Sequence, residues 1–265
     1  MVAVFAAFPA ELAALLEHTE VDHTVALNGN KFRVGILSGV PVVVGMTGIG
    51  LLNAQATSSA VLDAFPFAAA VFSGVAGSPL RIGDVVVPVR WELIDGSGYD
   101  ADAALLDVAR AVASRDDLAF DKCTLIPMRP TEQVCVLHDP VLAVGGIGHS
   151  DDPFNGMPLV CMPGSGDIFG CDPDEPTSTP TVRATTGGVD TEEPMAQDEE
   201  TAAVAREAAA RGIPFIGFRG VSDGAGDPLN LPPNTFQEFF IYYRLAANNA
   251  AVAVAAFFDE LRQPR

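Results

Sequence analysis

The sequence predicts an α/β fold: a single domain, residues 1–265, with a central mixed β-sheet flanked by helices. Three observations lead there. Short continuous apolar runs such as Met1–Phe8 have the length and composition of strands buried on both faces. Ala-rich or amphipathic stretches of helical length alternate with them, and few linker-like stretches intervene. A length of 265 residues suits one large domain or two small ones, and 49% apolar residues allow a substantial core.

Taken in order, Met1–Phe8 reads as a buried strand, and Pro9 suits the first position of a helix carrying Glu11 through His18. Thr24–Leu27 and Phe32–Leu37 flank NGNK, whose Asn-Gly pair is a strong hairpin signal. The Val-rich strand Pro41–Met46 ends in TGIG, and Leu51–Phe65 follows as a helix. Next come a buried strand at Ala69–Ser73, a Gly-rich turn at Gly74–Gly77, and a long strand from Asp84 to Leu93. Asp102–Ser114 is an amphipathic helix. Thr124–Met128, Gln133–Leu137 and Leu159–Met162 read as strands, the last leading into PGSGDIFG.

Residues 171–194, rich in Pro, Thr, Gly and acid, read as an insertion or lid loop. Beyond it, Glu199 and Glu200 open an Ala-rich helix that stops at Gly212. Pro214 then leads the strand PFIGFRGVSD, which ends on Asp223 in a Gly-rich turn. Thr235–Arg262 closes the chain as one long helix. Ligands of open α/β sheets sit where strands end and helices begin, so Glu200 and Asp223 are placed to face one crevice. Acidic residues also suit a first helical turn, and Asp-Gly is ordinary turn chemistry.

The formal charge is −19, with only 15 Lys and Arg and no basic cluster, which argues against nucleic-acid binding. The apolar N-terminus lacks a basic stretch and is interrupted by Glu11, so it does not read as a signal peptide. No uncharged apolar run reaches membrane-spanning length, and the chain reads as cytoplasmic, with no membrane partner. Cys123, Cys135, Cys161 and Cys171 form no CxxC pair; they read as buried thiols, with a Cys161–Cys171 disulfide as the open alternative. No metal site or cofactor is expected: His18, His23, His138 and His149 lack partners at ligand spacing, and GxGxxG, P-loop and GxSxG patterns are absent. The junctions TGIG (Thr47–Gly50) and SGVAG (Ser73–Gly77) are suited to bring backbone N–H groups to a ligand, or are simply tight turns.

In chain order, Glu11 after the first strand, TGIG, SGVAG before GDVVVP, SGDIF, the Glu199–Glu200 pair and GVSD form a combination. With it, the sequence resembles the nucleoside phosphorylase/nucleosidase superfamily, especially the 5′-methylthioadenosine/S-adenosylhomocysteine nucleosidases. The likeness runs from Val2 to Leu261 and is weakest over Asp95–Leu159. It implies cleavage of the N-glycosidic bond of a purine nucleoside, with a 5′-modified adenosine as one candidate. Asp223 matches the acid to the purine, Glu11 the glutamate that activates water, and Glu200 the carboxylate that binds ribose hydroxyls. Phe169 matches the aromatic that stacks on the base, Phe236 an aromatic near the 5′ substituent, and Ser73, Gly74, Val75, Ala76 and Gly77 the turn lining ribose and base. Thr47 belongs to the other Gly-rich junction.

Two positions depart from the pattern. Glu199 stands where the family often has Met packing under the sugar, and Val75 where the adenine-nucleoside hydrolases commonly have Ser; Met195 is one substitute for the missing Met. The resemblance also implies a homo-oligomer in which a neighbouring chain closes each pocket. Between water and phosphate as nucleophile, the sequence favours water. The arginines that cradle phosphate in the hexameric phosphorylases are missing: the first 32 residues hold none, Phe72 occupies the second place, and Arg33 and Arg81 do not match. A phosphate-dependent purine nucleoside phosphorylase is the alternative, and an inactive nucleoside-binding or storage-type protein the alternative of another class.

Overall fold

The computed structural model describes residues 1–127, 129–172, 183–185, 196–232 and 235–263. Helices flank a large mixed sheet, as the alternation of apolar runs predicts. Its central strand is Ala69–Arg81, parallel to Val2–Ala6 along one edge and to Phe215–Ala225 along the other. Val2–Ala6 pairs in turn with Val40–Met46, beyond which lie the antiparallel strands Asn30–Leu37 and Thr19–Leu27. In the connecting turn, Asn28 and Gly29 both take positive φ, 51° and 84°, the geometry an Asn-Gly hairpin requires.

The helices obey local signals. Pro9 starts Pro9–Leu16, and Asp102 caps Ala103–Ala113 by accepting from the Ala104 and Leu105 N–H groups. Thr235 and Glu238 form a capping box that starts Phe236–Leu261. This long helix packs across Phe215–Ala225, with Phe257 edge-on to Phe218. Gly220 permits the contact, since a Cβ there would collide with the backbone of Ala246.

Several sequence expectations need correction. SGVAG is no turn: residues 74–77 continue the central strand, because each pairs in register with the parallel neighbour, Gly74 with Arg219 and Val75 with Gly220. The single strand expected from Asp84 to Leu93 is two, Val85–Val87 and Arg90–Leu93; Pro88 between them has no N–H to give a ladder. Leu159–Met162 is not a strand but an irregular, largely exposed segment. The last strand does not stop at Asp223 but runs to Ala225, with a register shift between Val221 and Asp223. Strands at Leu142–Val144, Ile147–Ser150 and Ala196–Asp198 are too short to show periodicity in sequence, yet Ala196–Asp198 leads directly into the Glu199–Glu200 pair.

The expectation of free thiols is also overturned. Cys123 pairs with Cys135 across the antiparallel strands Cys123–Ile126 and Arg129–Cys135, and Cys161 pairs with Cys171. Within the expected insertion at 171–194, residues 173–182 and 186–194 lie outside the described residues, as does Met195. Arg183–Thr185 pairs antiparallel with Ala119–Asp121. Among the described residues, no helix is long and apolar enough to cross a membrane.

Candidate active site

A cavity of about 450 Å³ opens at the carboxyl ends of the central parallel strands. Its walls are apolar, formed by Phe8, Ile49, Phe154, Leu159, Ile168, Phe169, Phe236 and Phe239. Its polar groups converge from three segments: Glu11 on the first helix, Gln197 to Glu200 at the start of the helix Thr201–Ala209, and Ser222 with Asp223 on the last strand. A mostly apolar cleft with a few converging polar groups is the usual form of a small-molecule site. The crevice foreseen between Glu200 and Asp223 therefore exists.

Glu11 is held by two backbone donors. The Ala7 N–H donates to Oε2 at 2.6 Å and the Val75 N–H to Oε1 at 2.7 Å. Burial dominates its proton affinity and, with the nearby Glu200, lifts its pKa from 4.5 to about 7 against the pull of Arg219. Such a carboxyl changes its charge near neutral pH, where a general base is most effective. Gly74 makes this placement possible: a Cβ there would collide with both Glu11 Oε1 and Arg219 Nη1.

Glu200 occupies the N-cap position of its helix but does not cap it; Asp198 does that work. Asp198 Oδ1 accepts from the Glu200 and Thr201 N–H groups and from Ser150 Oγ, and Thr201 Oγ1 donates to Oδ2. Released from capping, Glu200 turns to the cavity. Its Oε1 accepts from the Gly50 N–H at 2.9 Å and its Oε2 from Arg219 Nη2 at 3.1 Å. Burial again raises its pKa, to about 7.

Arg219 lies beneath these acids, 1% exposed, with Nη2 2.9 Å from Asp198 Oδ2 and its guanidinium over the Phe72 ring at 4.7 Å. Among the described residues, its Nη1 and Nε have no hydrogen-bond partner, so a buried donor remains open beside Glu11. Arg219 belongs to none of the sequence motifs. Its signal is local: a single basic residue within the apolar run PFIGFRGVS must be paired if that strand is buried. Asp198, Phe8 and Phe239 were missed as well; only their neighbours in space mark them.

Asp223 faces the cavity at the register shift of its strand, the kind of irregularity that re-aims a side chain. Burial raises its pKa, while the Ser222 hydroxyl, donating to Oδ1 at 2.6 Å, opposes the rise. Its Oδ2 lies over Gly77, where a Cβ would stand 2.7 Å away.

Of the residues expected at the site, Glu11, Val75, Ala76, Gly77, Phe169, Glu199, Glu200, Asp223 and Phe236 line this cavity. Ser73 and Gly74 do not; they sit buried in the strand behind it or at its edge. Thr47 lines an adjoining cavity of about 260 Å³ that shares Phe8, Ile49, Leu159, Ile168 and Phe169 with the first. Its hydroxyl donates to backbone carbonyls of Ala6 and Gly48.

Residues 1–129 match the family model described as the Phosphorylase superfamily. The chain is 35% identical over 189 residues to an uncharacterized protein of Mycobacterium tuberculosis, covering 64% of this chain and 75% of that one. It is 27% identical over 265 residues to the 5′-methylthioadenosine/S-adenosylhomocysteine nucleosidase of Tolumonas auensis, covering 98% and 99% of the two chains. Among solved structures, the futalosine hydrolase of Helicobacter pylori shares the fold with a TM-score of 0.65 at 19% identity, covering 98% of this chain and 97% of that one. The 5′-methylthioadenosine/S-adenosylhomocysteine nucleosidase of Neisseria meningitidis, solved with methylthio-immucillin-A, does so at 0.65 and 19%, covering 97% and 98%.

Proposed function

We propose a reaction for this cavity from one premise: the chain belongs to the nucleoside phosphorylase/nucleosidase superfamily. The protein is an enzyme that cleaves the N-glycosidic bond of a purine nucleoside with water. The observation that carries this reading is the pairing of Glu11 and Asp223. A buried carboxyl, Glu11, and a half-buried one, Asp223, each with its proton affinity raised by burial, face one apolar-walled cavity from separate elements.

Asp223 holds its proton against a purine ring nitrogen and transfers it as the bond from C1′ to the base breaks. Glu11 removes a proton from the water whose oxygen bonds to C1′. The products are a free base and a sugar with a hydroxyl at C1′. Positive charge grows on the sugar as the bond breaks, and Glu11 and Glu200 stabilise it in a site shielded from water. Glu200 accepts from a ribose hydroxyl with the lone pairs that Gly50 and Arg219 leave open. Phe169 and the aromatic wall flank the base, and Phe236 lies toward the 5′ substituent.

The charge balance supports water over phosphate. Arg219 is the buried cation of the site, and Asp198, Glu200 and Glu11 already surround it. A phosphate dianion entering here would meet more negative than positive charge. A homo-oligomer accords with the exposed apolar residues Phe236, Met157 and Val160, the first on the cavity wall and the others on the segment that runs past it.

The test is incubation with a panel of purine nucleosides, with and without phosphate, following free base and the sugar product. Base release independent of phosphate, yielding free or 5′-modified ribose, is the expected result. A sugar 1-phosphate formed only with phosphate present would overturn hydrolysis. Binding without base release would move the protein to the storage class.

A further inference from the structure

The polar stretch Gln197–Glu200 presents four side chains at one end of the cavity, and three of them are already committed to protein partners. Gln197 Nε2 donates to Asp151 Oδ2 at 2.5 Å. Asp198 is saturated by Ser150, Thr201, two backbone N–H groups and Arg219. Glu200 is engaged on both oxygens, by Gly50 and Arg219. Glu199 alone of the four has a half-buried carboxyl, on the cavity wall, with no hydrogen-bond or ion-pair partner among the described residues.

We infer that Glu199 is a sugar-reading residue: its carboxyl hydrogen-bonds a ribose hydroxyl and selects ribonucleosides over their deoxy counterparts. The inference rests on the nucleoside reading of this cavity and deepens it. A nucleoside offers hydrogen-bonding groups at its base edge and on its sugar. With the base edge turned to Asp223, Glu11 facing the water, and the Ser222 and Thr235 hydroxyls engaged by Asp223 and the Pro232 carbonyl, the sugar hydroxyls meet the Gln197–Glu200 end. There Glu199 is the carboxyl with both oxygens open.

Its surroundings give it a reason to bind one. Burial and the negative charges of Glu200 and Asp198 push its pKa up to about 8, with Arg219 pulling the other way. A hydroxyl serves either protonation state, since it donates to a carboxylate and accepts from a neutral carboxyl. A half-buried polar group left without a partner is unfavourable, so ligand and residue each complete the other. A Met at this position could only pack against the sugar, whereas Glu can distinguish a hydroxyl from a hydrogen.

The test compares 5′-methylthioadenosine with its 2′-deoxy and 3′-deoxy forms on wild type, Glu199→Met and Glu199→Gln. Base release supplies kcat/KM and calorimetry supplies Kd. A hydrogen bond to a charged group is worth about 10- to 100-fold in affinity. Wild type should therefore prefer the parent over at least one deoxy form by about tenfold or more. Glu199→Met should reduce that preference to about twofold, by weakening the parent and not the deoxy form, while Glu199→Gln retains part of it. Thermal stability of both variants should match wild type, because the side chain has no protein partner to lose.

A Glu199→Met variant that keeps the wild-type preference would overturn the inference and leave sugar reading to Glu200. Equal treatment of all three compounds by wild type would overturn it too, with the nucleoside reading standing. Failure of all three compounds, and of every other purine nucleoside in the panel, to bind would remove the nucleoside reading and this inference together.

Discussion

Replacing Glu11 by Gln should nearly abolish base release and leave stability at pH 8 almost unchanged. The side chain now satisfies two buried backbone donors, Ala7 N–H and Val75 N–H, one on each oxygen. Gln keeps one acceptor and turns an amide N–H toward the other donor, which costs about 1–3 kcal/mol. Against this, removing the buried charge gives relief. Lifting the carboxyl from 4.5 to about 7 corresponds to about 3 kcal/mol, at about 1.4 kcal/mol per tenfold change in proton affinity.

The sign follows from proton counts. The folded protein keeps a proton on Glu11 that the unfolded chain releases between pH 4.5 and about 7, so wild-type stability falls as pH rises through that window. The relief is therefore available at pH 8 and mostly absent at pH 5. Urea unfolding should show the variant within about 2 kcal/mol of wild type at pH 8 and about 1–3 kcal/mol less stable at pH 5. Base release should drop by about 100-fold or more, the usual contribution of a general base. Activity within tenfold of wild type would refute the catalytic reasoning. A stability loss well above about 3 kcal/mol at pH 8 would instead make Glu11 a structural residue.

Four further outcomes can be checked with the same assays. Asp223→Asn should lose about 100-fold or more in rate with nucleoside Kd nearly unchanged, since it removes the proton and keeps the shape. The wild-type rate should rise with pH through about 7 as Glu11 ionises; a rate that is flat or falling across that window would contradict the base role. Gly74→Ala should cost about 1–3 kcal/mol and most of the activity, because its methyl group displaces both Glu11 and Arg219; a fully active variant would show the strand to be more yielding than its packing implies. Reduction of Cys161–Cys171, or Cys161→Ser, should raise KM more than it lowers kcat, because that bridge closes the segment that presents Ile168 and Phe169 to the cavity; Cys135→Ser is the control.

Signals carried by one or two residues were readable without coordinates. Asn28-Gly29 specifies its hairpin, Pro9 and Thr235 start their helices, and Gly212, at φ 64°, ends the Ala-rich one. The spacing of Glu11, Glu200 and Asp223 within recognisable motifs was legible for the same reason: each motif is a short contiguous string. Resemblance supplied the roles, and the geometry brings these residues to one cavity.

What escaped the sequence depends on partners distant along the chain. SGVAG has the composition of a turn, and only parallel pairing with Phe215–Ala225 makes it strand. Its glycines then serve to admit Glu11 and Arg219 rather than to bend the chain. Cysteine spacing alone does not distinguish free thiols from bridges, because the pairing needs two Cα atoms brought within bonding reach, 4.0 Å and 5.0 Å apart here. The division of labour among Asp198, Glu199 and Glu200 is the clearest case. Three consecutive acids look equivalent in the sequence, yet Asp198 caps the helix, Glu200 meets Gly50 and Arg219, and Glu199 faces the cavity with its oxygens open. Composition and local pattern determine where such acids lie. Which donors reach each one, and so which remains for a ligand, is decided only when strands far apart in sequence are packed together.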